Sequence, residues 1–547
     1  IRWLWRRSAG LTPRLCLCLP ASSAGALGGL ALAVLYALFA GWGVPAQRTI
    51  CMLATVVLLR QSGKQWPWPF VWLLTMSIVV AFDPWALMQA GFWLSFVAVA
   101  VLFATGPSLE QSAATHFEGA KMTRPALAIL RSLKSAAREQ WVVTLALTPL
   151  SLLLFNQVSV VGLLANTVAI PWVTLLVTPL AMLGVIWAPF WGAAAWALSL
   201  LVVCLQWLAS WPMASISVAA APLWYAVAGV LGGTLLALRL PWSWRVLAVP
   251  LLLPVLLWQP IRPAVGQFDV LGADVGQGNA LLVRTASHSL VYDSGPRFSR
   301  ESDAGTRVLV PLLRALGERI DMLLLSHRDL DHVGGAFAVL SMQPQAALLS
   351  SIEENHELQT IRKSVPCVQG QRWQWDGVDF EILHPSAPDY DGLKKSNTMS
   401  CVLRISSALP TPQTALLVGD LESQQELRLV ADAEMNQKLK ADFLLIPHHG
   451  SKTSSSPAFL DAVKPVFALA QAGYRNRFGH PAEAVLQRYR QRGIQVVGSA
   501  RCGAASWRSE QPAELVCQRQ EGLRYWHHVL VAPAGSGLEP PQTQAGK

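Results

Sequence analysis

The stretch Leu323-Leu324-Leu325-Ser326-His327-Arg328-Asp329-Leu330-Asp331-His332-Val333-Gly334-Gly335 couples an apolar run to four potential metal ligands within six residues. An apolar run of this length reads as a buried strand. The polar cluster then falls on the turn that leaves it. Imidazole and carboxylate groups bind a metal only when they converge, and a strand-to-loop turn brings His327, Asp329, Asp331 and His332 together without reorganising long side chains. A polar loop that merely caps a helix would not require two His interleaved with two Asp. Gly334 and Gly335 suit a close approach of the helix expected next.

Two further segments follow the same design. TALLVGD (414–420) delivers Asp420 at the end of an apolar run, and DFLLIPHHGSK (442–452) delivers His448 and His449, then Ser451 and Lys452. A lone Asp after a strand is usually a turn former, but three polar clusters at strand ends form a pattern. His384 and His480 each precede Pro, so each marks a turn first and a ligand second. Around these segments, 267–275, 279–285, 288–295, 378–385, 400–406, 465–472 and 495–500 read as strands and 307–317 as a helix, with polar or Gly-rich turns between them. This mixture predicts a layered α/β domain over 264–510. Residues 511–547 are expected to be a C-terminal extension with a disordered tail.

Upstream of Pro263 the texture changes. The 547-residue chain is 52% hydrophobic and only 14% charged, with 23 Trp and a net charge of +10. Soluble proteins carry roughly 25% charged residues, so part of this chain belongs in lipid. Residues 1–260 read as a polytopic helical membrane bundle, with candidate spans at 24–41, 44–59, 68–83, 85–105, 141–156, 158–181, 190–210, 222–239 and 245–258. Basic residues cluster at Arg2–Arg14, at Arg60 and Lys64, in the segment Lys121–Arg138, and at Arg239 and Arg245. Placed on the cytoplasmic side, the four clusters let nine spans alternate and leave the soluble domain outside. Arg48 dissents. Gln47, Arg48, Asp83, Gln89, Asn156, Gln157 and Asn166 lie in or at the ends of apolar runs, where they either lock helices together or line a wet path. Pro149, Pro171 and Pro179 are expected to kink their helices. The positive charge suits anionic lipid or a polyanion.

There are eight Cys and no CxxC pair; Cys502 and Cys517 can form a disulfide if their domain faces an oxidising compartment. The chain starts at Ile1 rather than Met, and a preceding segment is expected.

HxDxDH, then GD, then PHHGS resemble the metal motifs of the metallo-β-lactamase fold, with Asp329 where a second His is more common. Together with DVGQGNALLV and YDSGP upstream, this variant resembles the C-terminal domain of ComEC-type competence proteins, which internalise DNA during natural transformation. PAQRT, DPWALMQAGFWLSFVAV and LLANTVAIPWV are similar to that family's competence domain, and the resemblance runs from about Gly25 to about Gly503. It implies a helical bundle followed by an αββα sandwich, and single-stranded DNA crossing the inner membrane. It also implies a nuclease that degrades the strand left outside. Two divalent ions, manganese or zinc, are implied, with His327, Asp329, Asp331, His332, Asp420 and His448 as ligands and Asp420 bridging.

Asp331 is also expected to orient water, and His449, Lys452 and His480 to take part in catalysis. Asn397, Ser451 and Arg48 are expected to contact substrate, and Asn279 and Asp293 to support the ligands. The family pattern has Asp where this chain has Asn279, which is expected to weaken metal placement or a bond supporting it. The family's small N-terminal β-barrel is not visible in the sequence. Implied partners are DNA, membrane lipid, a DNA receptor outside and a DNA-translocating ATPase in the cytoplasm. Two rival readings are a membrane-tethered hydrolase of a lipid headgroup or small phosphodiester, and a channel whose soluble domain only binds DNA.

Overall fold

The computed structural model describes residues 1–8, 10, 13–63, 66–105, 125–211, 213–238, 240–392 and 395–523. The chain divides into two units, Ile1–Trp258 and Gln259–Lys547.

The first unit is helical. Three of its described helical segments are long and apolar enough to cross a membrane, namely Ala21–Phe39, Gly162–Leu183 and Pro189–Ala209. The sequence predicts nine candidate spans, several of them shorter than a straight span needs, and among the described residues three helical segments reach that length. The apolar stretches Trp68–Phe82, Ala90–Ala104, Gln140–Phe155, Leu223–Leu236 and Trp242–Leu257 are 10–17 residues long, below the roughly 20 that a straight span needs. Breaks in the backbone account for several of these lengths. A 3₁₀ turn at Pro84–Met88 occupies the start of the expected fourth span. The ninth is split into Trp242–Val246 and Ala248–Leu257. After Pro171, which cannot donate its backbone hydrogen bond, Val173–Val177 forms a π turn. The expected basic loop is in part helix, because Pro125–Phe155 is continuous and carries Arg131, Lys134 and Arg138. Lys64, Lys121, Arg124 and Arg239 lie outside the described residues.

Small residues let these helices approach closely. A side chain at Gly232 would meet Ala248 and Leu251, and one at Gly233 would strike Pro149. Elsewhere the helices turn apolar residues outward. Gly162–Trp172 has no buried residue, Ala21–Phe39 buries only Ala24 and Ala37, and Ile186 is 84% exposed.

The expected polar positions mostly have local partners. Gln47 Nε2 donates to Trp42 O at 2.9 Å. Asp83 accepts the Trp85 N–H at 3.1 Å and faces Gln89 Nε2 at 3.5 Å. Asn156 ends its helix in the left-handed conformation, and Asn166 is exposed. Arg48 is different: it is buried, and its Nη1 has no hydrogen-bond partner.

The second unit is a sandwich of two sheets. In the first, the strand order is Ser364–Pro366, Ala347–Ser350, Met322–Leu325, Ser289–Tyr292, Leu281–Arg284, Asp269–Gly272, Ala505–Arg508 and Leu515–Cys517. The second runs Arg372–Trp375, Val378–His384, Val402–Ser406, Thr414–Leu417, Phe443–Leu445, Phe467–Ala470 and Gln495–Gly498. Alternate residues of each strand feed different cores. Leu281, Val283 and Leu324 meet Ile405, Leu417 and Leu445 between the sheets. Leu282, Leu323 and Leu325 pack outward against Leu313, Val339 and Leu340. On the far side, Leu416, Leu444 and Ala468 pack on Phe459, Leu460 and Val485. Helices therefore cover both outer faces, and strands buried on both faces read as unbroken apolar runs. This is the expected αββα architecture. It continues past residue 510, because Leu515–Cys517 pairs with Ala505–Arg508. The expected disordered tail falls largely on 524–547, outside the described residues.

Met322–Leu325 is parallel to both neighbours, and Thr414–Leu417, Phe443–Leu445 and Phe467–Ala470 are parallel to one another. Ligands in such sheets gather beyond the carboxyl ends of the strands. Those ends lead directly into His327, Asp420, His448 and Gln471.

Candidate metal centre

Asp331, His332, Asp420 and His449 each bring one ligand atom into a group within 4.8 Å of one another. His332 Nε2 lies 3.1 Å from Asp420 Oδ1, and His449 Nε2 lies 3.2 Å from Asp331 Oδ2 and 3.4 Å from Asp420 Oδ1. Beside them, His327 Nε2 is 3.5 Å from Asp329 Oδ2, and His448 Nε2 is 3.5 Å from Asp420 Oδ2. Asp420 thus faces His332, His448 and His449.

The histidines are oriented from behind. His332 Nδ1 lies 2.8 Å from Asp293 Oδ2, and Asp293 also accepts the Ser326 N–H at 2.6 Å and its hydroxyl at 2.8 Å. His449 Nδ1 donates to Gln471 O at 2.9 Å. Such bonds hold the proton on Nδ1 and leave Nε2 for a metal. The structure agrees with that division: His327 Nε2, His332 Nε2, His449 Nε2 and Asp420 Oδ1 are all buried without a hydrogen-bond partner. Orphaned buried polar atoms are costly, and the three from His332, His449 and Asp420 lie together with Asp331 as a donor set suited to a divalent ion.

The electrostatics point the same way. Burial opposes ionisation of Asp420, but His449 and His332 hold its carboxyl well below the usual range. Burial also acts against protonation of His332, yet Asp420 and Asp293 raise its pKa well above the ordinary value. Asp331, despite burial, is brought down to about 2 by the His449 hydrogen bond and the charges of His332 and His449.

The backbone contributes as well. Asp293, His448 and His449 all have positive φ, at 57°, 49° and 54°. For non-glycine residues this costs roughly 1–3 kcal/mol each and is concentrated at functional sites. The loop after His332 turns inward because Gly334 and Gly335 press on the backbone of Arg297 and Gly305, where a side chain would collide.

The sequence-expected residues separate in space. His449, expected as a catalytic or substrate contact, sits within the cluster, and His448 lies to one side with Asn397 Nδ2 at 3.5 Å. Ser451 Oγ lies 3.1 Å from Thr453 Oγ1 of its own loop. Lys452 is exposed. The His480 ring centroid lies 5.8 Å from that of His448. Asn279 is fully buried and its N–H reaches Asp331 O at 3.2 Å, but neither polar atom of its side chain has a partner. His384 is buried outside the cluster, its Nδ1 donating to Ser400 O at 2.8 Å. Two supports were missed in the sequence, Ser326 and Gln471. Gln471 receives His449 through its carbonyl and binds Ala273 O and Ala280 O through its amide. Its only sequence signal is a polar residue closing the apolar run 465–470. The cleft beside His327 is of mixed character, lined by Arg328, Glu353 and Asp389 and by Ile352 and Met399 among others.

Cys502 and Cys517 are bonded, and so are Cys367 and Cys401, a pair the sequence did not suggest. Cys16, Cys18, Cys51 and Cys204 are free.

Residues 1–243 match the family model described as Competence protein, and residues 273–392 match that of the Metallo-beta-lactamase superfamily. The chain is 36% identical over 509 residues to Competence protein ComA of Neisseria gonorrhoeae, covering 92% of this chain and 67% of that protein. It is 31% identical over 526 residues to Uncharacterized protein YcaI of Escherichia coli, covering 92% and 64%. Recombination protein 2 of Haemophilus influenzae is 27% identical over 495 residues, covering 84% and 60%. The chain therefore spans between 60% and 67% of the length of these relatives. Among solved structures, the metallo-beta-lactamase fold protein YhfI of Bacillus subtilis aligns at 13% identity and a TM-score of 0.31, covering 44% of this chain and 99% of that one. With its two units matching the two family models in order, and a relative 36% identical across most of its length, the chain belongs to the family of competence proteins that carry a metallo-β-lactamase domain.

Proposed function

We propose that this protein carries single-stranded DNA across the cytoplasmic membrane, and that its soluble domain is a metal-dependent nuclease degrading the strand left outside. The observation that carries the nuclease reading is the convergence of Asp331, His332, Asp420 and His449 within 4.8 Å, with the His332, His449 and Asp420 ligand atoms buried and unpartnered. Asp331, His332, Asp420 and His449 would hold one ion, and the flanking pairs His327–Asp329 and His448–Asp420 would offer ligands for a second. Two such ions, manganese or zinc, supply an activated water and charge stabilisation for the attacking and leaving oxygens of a phosphodiester. The chain's own groups do the rest. Asp331, a carboxylate at neutral pH, accepts a hydrogen bond from the attacking water and orients it. Asn397, whose Nδ2 lies 3.5 Å from His448 Nε2, would contact the phosphate, and the exposed Lys452 would add positive charge nearby.

The membrane reading is supported by the apolar, outward-facing helices, which need an apolar solvent. Location of the soluble domain in the periplasm is supported by its cysteines. All four of them pair, whereas the four in the helical unit are free. Disulfides persist in oxidising compartments. A DNA receptor outside and a translocating ATPase inside would complete the path.

The lipid-headgroup reading would suit a narrow pocket without charge, whereas Arg328, Glu353 and Asp389 line the cleft beside His327. A binding-only domain would suit splayed ligands, and these lie within 4.8 Å of one another. Metal analysis of the purified chain, coupled to cleavage assays on single- and double-stranded DNA, tests the proposal. Bound metal with DNA hydrolysis that a chelator abolishes is the expected result. Metal-loaded protein without DNA cleavage would overturn it.

A further inference from the structure

Glu426 lies in the first turn of the helix Ser423–Ala431 and is fully buried. It is not one of the donors of the metal-ligand cluster. A carboxylate in such a place is expensive unless it is hydrogen-bonded. Its partners are backbone groups of the loop that follows the histidine pair: Oε1 accepts the Ser455 N–H and Oε2 the Ser456 N–H, both at 2.6 Å. Bonds to an ionised acceptor are roughly twice as strong as neutral ones. Burial raises the pKa of Glu426, and the bonds from Ser456 and Ser455 and the charge of Arg488 oppose that rise.

The loop needs such a hold. Ser455 has φ of 57°, left-handed like His448 and His449 before it, at a cost of roughly 1–3 kcal/mol. Arg488 Nη1 donates to Ser454 O and to Ser455 O, each at 3.0 Å, and the Tyr489 hydroxyl lies 3.1 Å from Ser455 Oγ. Glu426 thus takes the N–H groups of this corner and Arg488 its carbonyls.

The corner leads back to the ligands. Ser454 Oγ donates to Pro447 O at 2.8 Å and to Ser451 O at 3.0 Å, which closes the loop on both sides of His448 and His449. Thr453 O accepts the Ser423 N–H and the Ser423 hydroxyl, both at 2.8 Å, and Thr453 Oγ1 lies 3.2 Å from His448 Nδ1. The helix that carries Glu426 starts three residues after Asp420. One helix therefore ties the Asp420 segment to the two-histidine segment.

We infer that Glu426 is a positioning residue: its carboxylate pins the corner Ser454–Ser456 and so holds His448 and His449 in the left-handed turn that presents them to the metal centre. This rests on the reading of Asp331, His332, Asp420 and His449 as metal ligands, and it names the group that sets the geometry of one of them.

The test is titration of the full chain in detergent with cobalt(II), whose visible absorption reports the arrangement of its ligands, beside a thermal melt of the metal-free protein. Glu426→Gln keeps the shape and turns one acceptor into a donor that faces an N–H. It should shift the visible bands of the cobalt-saturated protein and weaken cobalt binding by about 10-fold or more, as loss of a group behind a ligand does. Glu426→Asp, which keeps both acceptor oxygens, should recover part of that affinity. A lower melting temperature with wild-type bands and wild-type affinity would mean that Glu426 only stabilises the fold, and would overturn the inference. If Glu426→Gln does not fold, Arg488→Met decides, because it frees the same corner from the carbonyl side and should shift the bands in the same way. Unaltered bands in Arg488→Met would show that the corner does not govern the histidines, and would overturn the inference too. No cobalt binding by wild type would instead overturn the reading of the cluster as a metal site, and the inference with it.

Discussion

His332 Nδ1 and Asp293 Oδ2 lie 2.8 Å apart, and neither side chain reaches solvent. Asp293 serves three donors at once, since Ser326 adds its N–H and its hydroxyl. An amide cannot serve all three, because one of its two heads is itself a donor. Asp293→Asn should therefore let His332 turn or change tautomer. Metal affinity should fall by about 10- to 100-fold, with circular dichroism unchanged. Competition against a chelating dye measures it. An unchanged affinity would mean that Asp293 does not orient His332.

His449 and His448 should differ in consequence. His449 Nε2 is buried between Asp331 and Asp420, whereas His448 Nε2 faces Asp420 Oδ2 at 3.5 Å and its Nδ1 lies near Thr453 and Glu422. His449→Ala should remove an ion outright, as measured by elemental analysis of the purified chain. His448→Ala should retain that ion and lose only a second, more weakly held one. Equal losses would mean that the two histidines share one ion.

Neighbouring His448 and His449 show where sequence reading stops. The three ligand-bearing segments were legible because parallel strands buried on both faces appear as unbroken apolar runs, and the polar residues follow where the runs end. Which of two adjacent histidines enters the cluster depends on two consecutive left-handed residues, a conformation that no glycine announces. The strand Leu515–Cys517 was missed because its partner and its role in the sheet are set by tertiary pairing rather than local pattern. Helix existence in the first unit was legible from hydropathy. Helix length was not, because 3₁₀ and π turns interrupt runs that stay apolar throughout.

The disulfides give a prediction about compartment. Cys367–Cys401 and Cys502–Cys517 span 34 and 15 residues. On loop-closure arithmetic these are worth about 4 and about 3 kcal/mol respectively. Peptide mapping without reductant should recover both bonds from protein expressed in its native membrane. Cys367→Ser should lower the melting temperature of the soluble domain more than Cys502→Ser does. Recovery of four free thiols would argue that this domain faces the cytoplasm.

Arg48 presents the sharpest question in the helical unit. An ion pair with Asp83 would have explained it structurally, but Asp83 caps Trp85 and faces Gln89 instead. Arg48 Nε reaches only Val44 O, at 3.5 Å, and the guanidinium lies against Gly91, where an added side chain would stand 3.4 Å from Nη2. Among the described residues no carboxylate is within ion-pair distance of Arg48. A buried cation without a counter-ion is expensive in an apolar surrounding, and a phosphate passing along the helices would neutralise it. Arg48→Gln should therefore abolish transformation while the protein is still inserted and its soluble domain still cuts DNA. Arg48→Lys should restore transport in part, because Lys supplies charge without the planar fork that grips phosphate. If Arg48→Gln transforms normally, Arg48 lies off the DNA path. If the variant fails to insert, its role is in helix packing, and Arg48→Met, which keeps the bulk without the charge, should then insert normally.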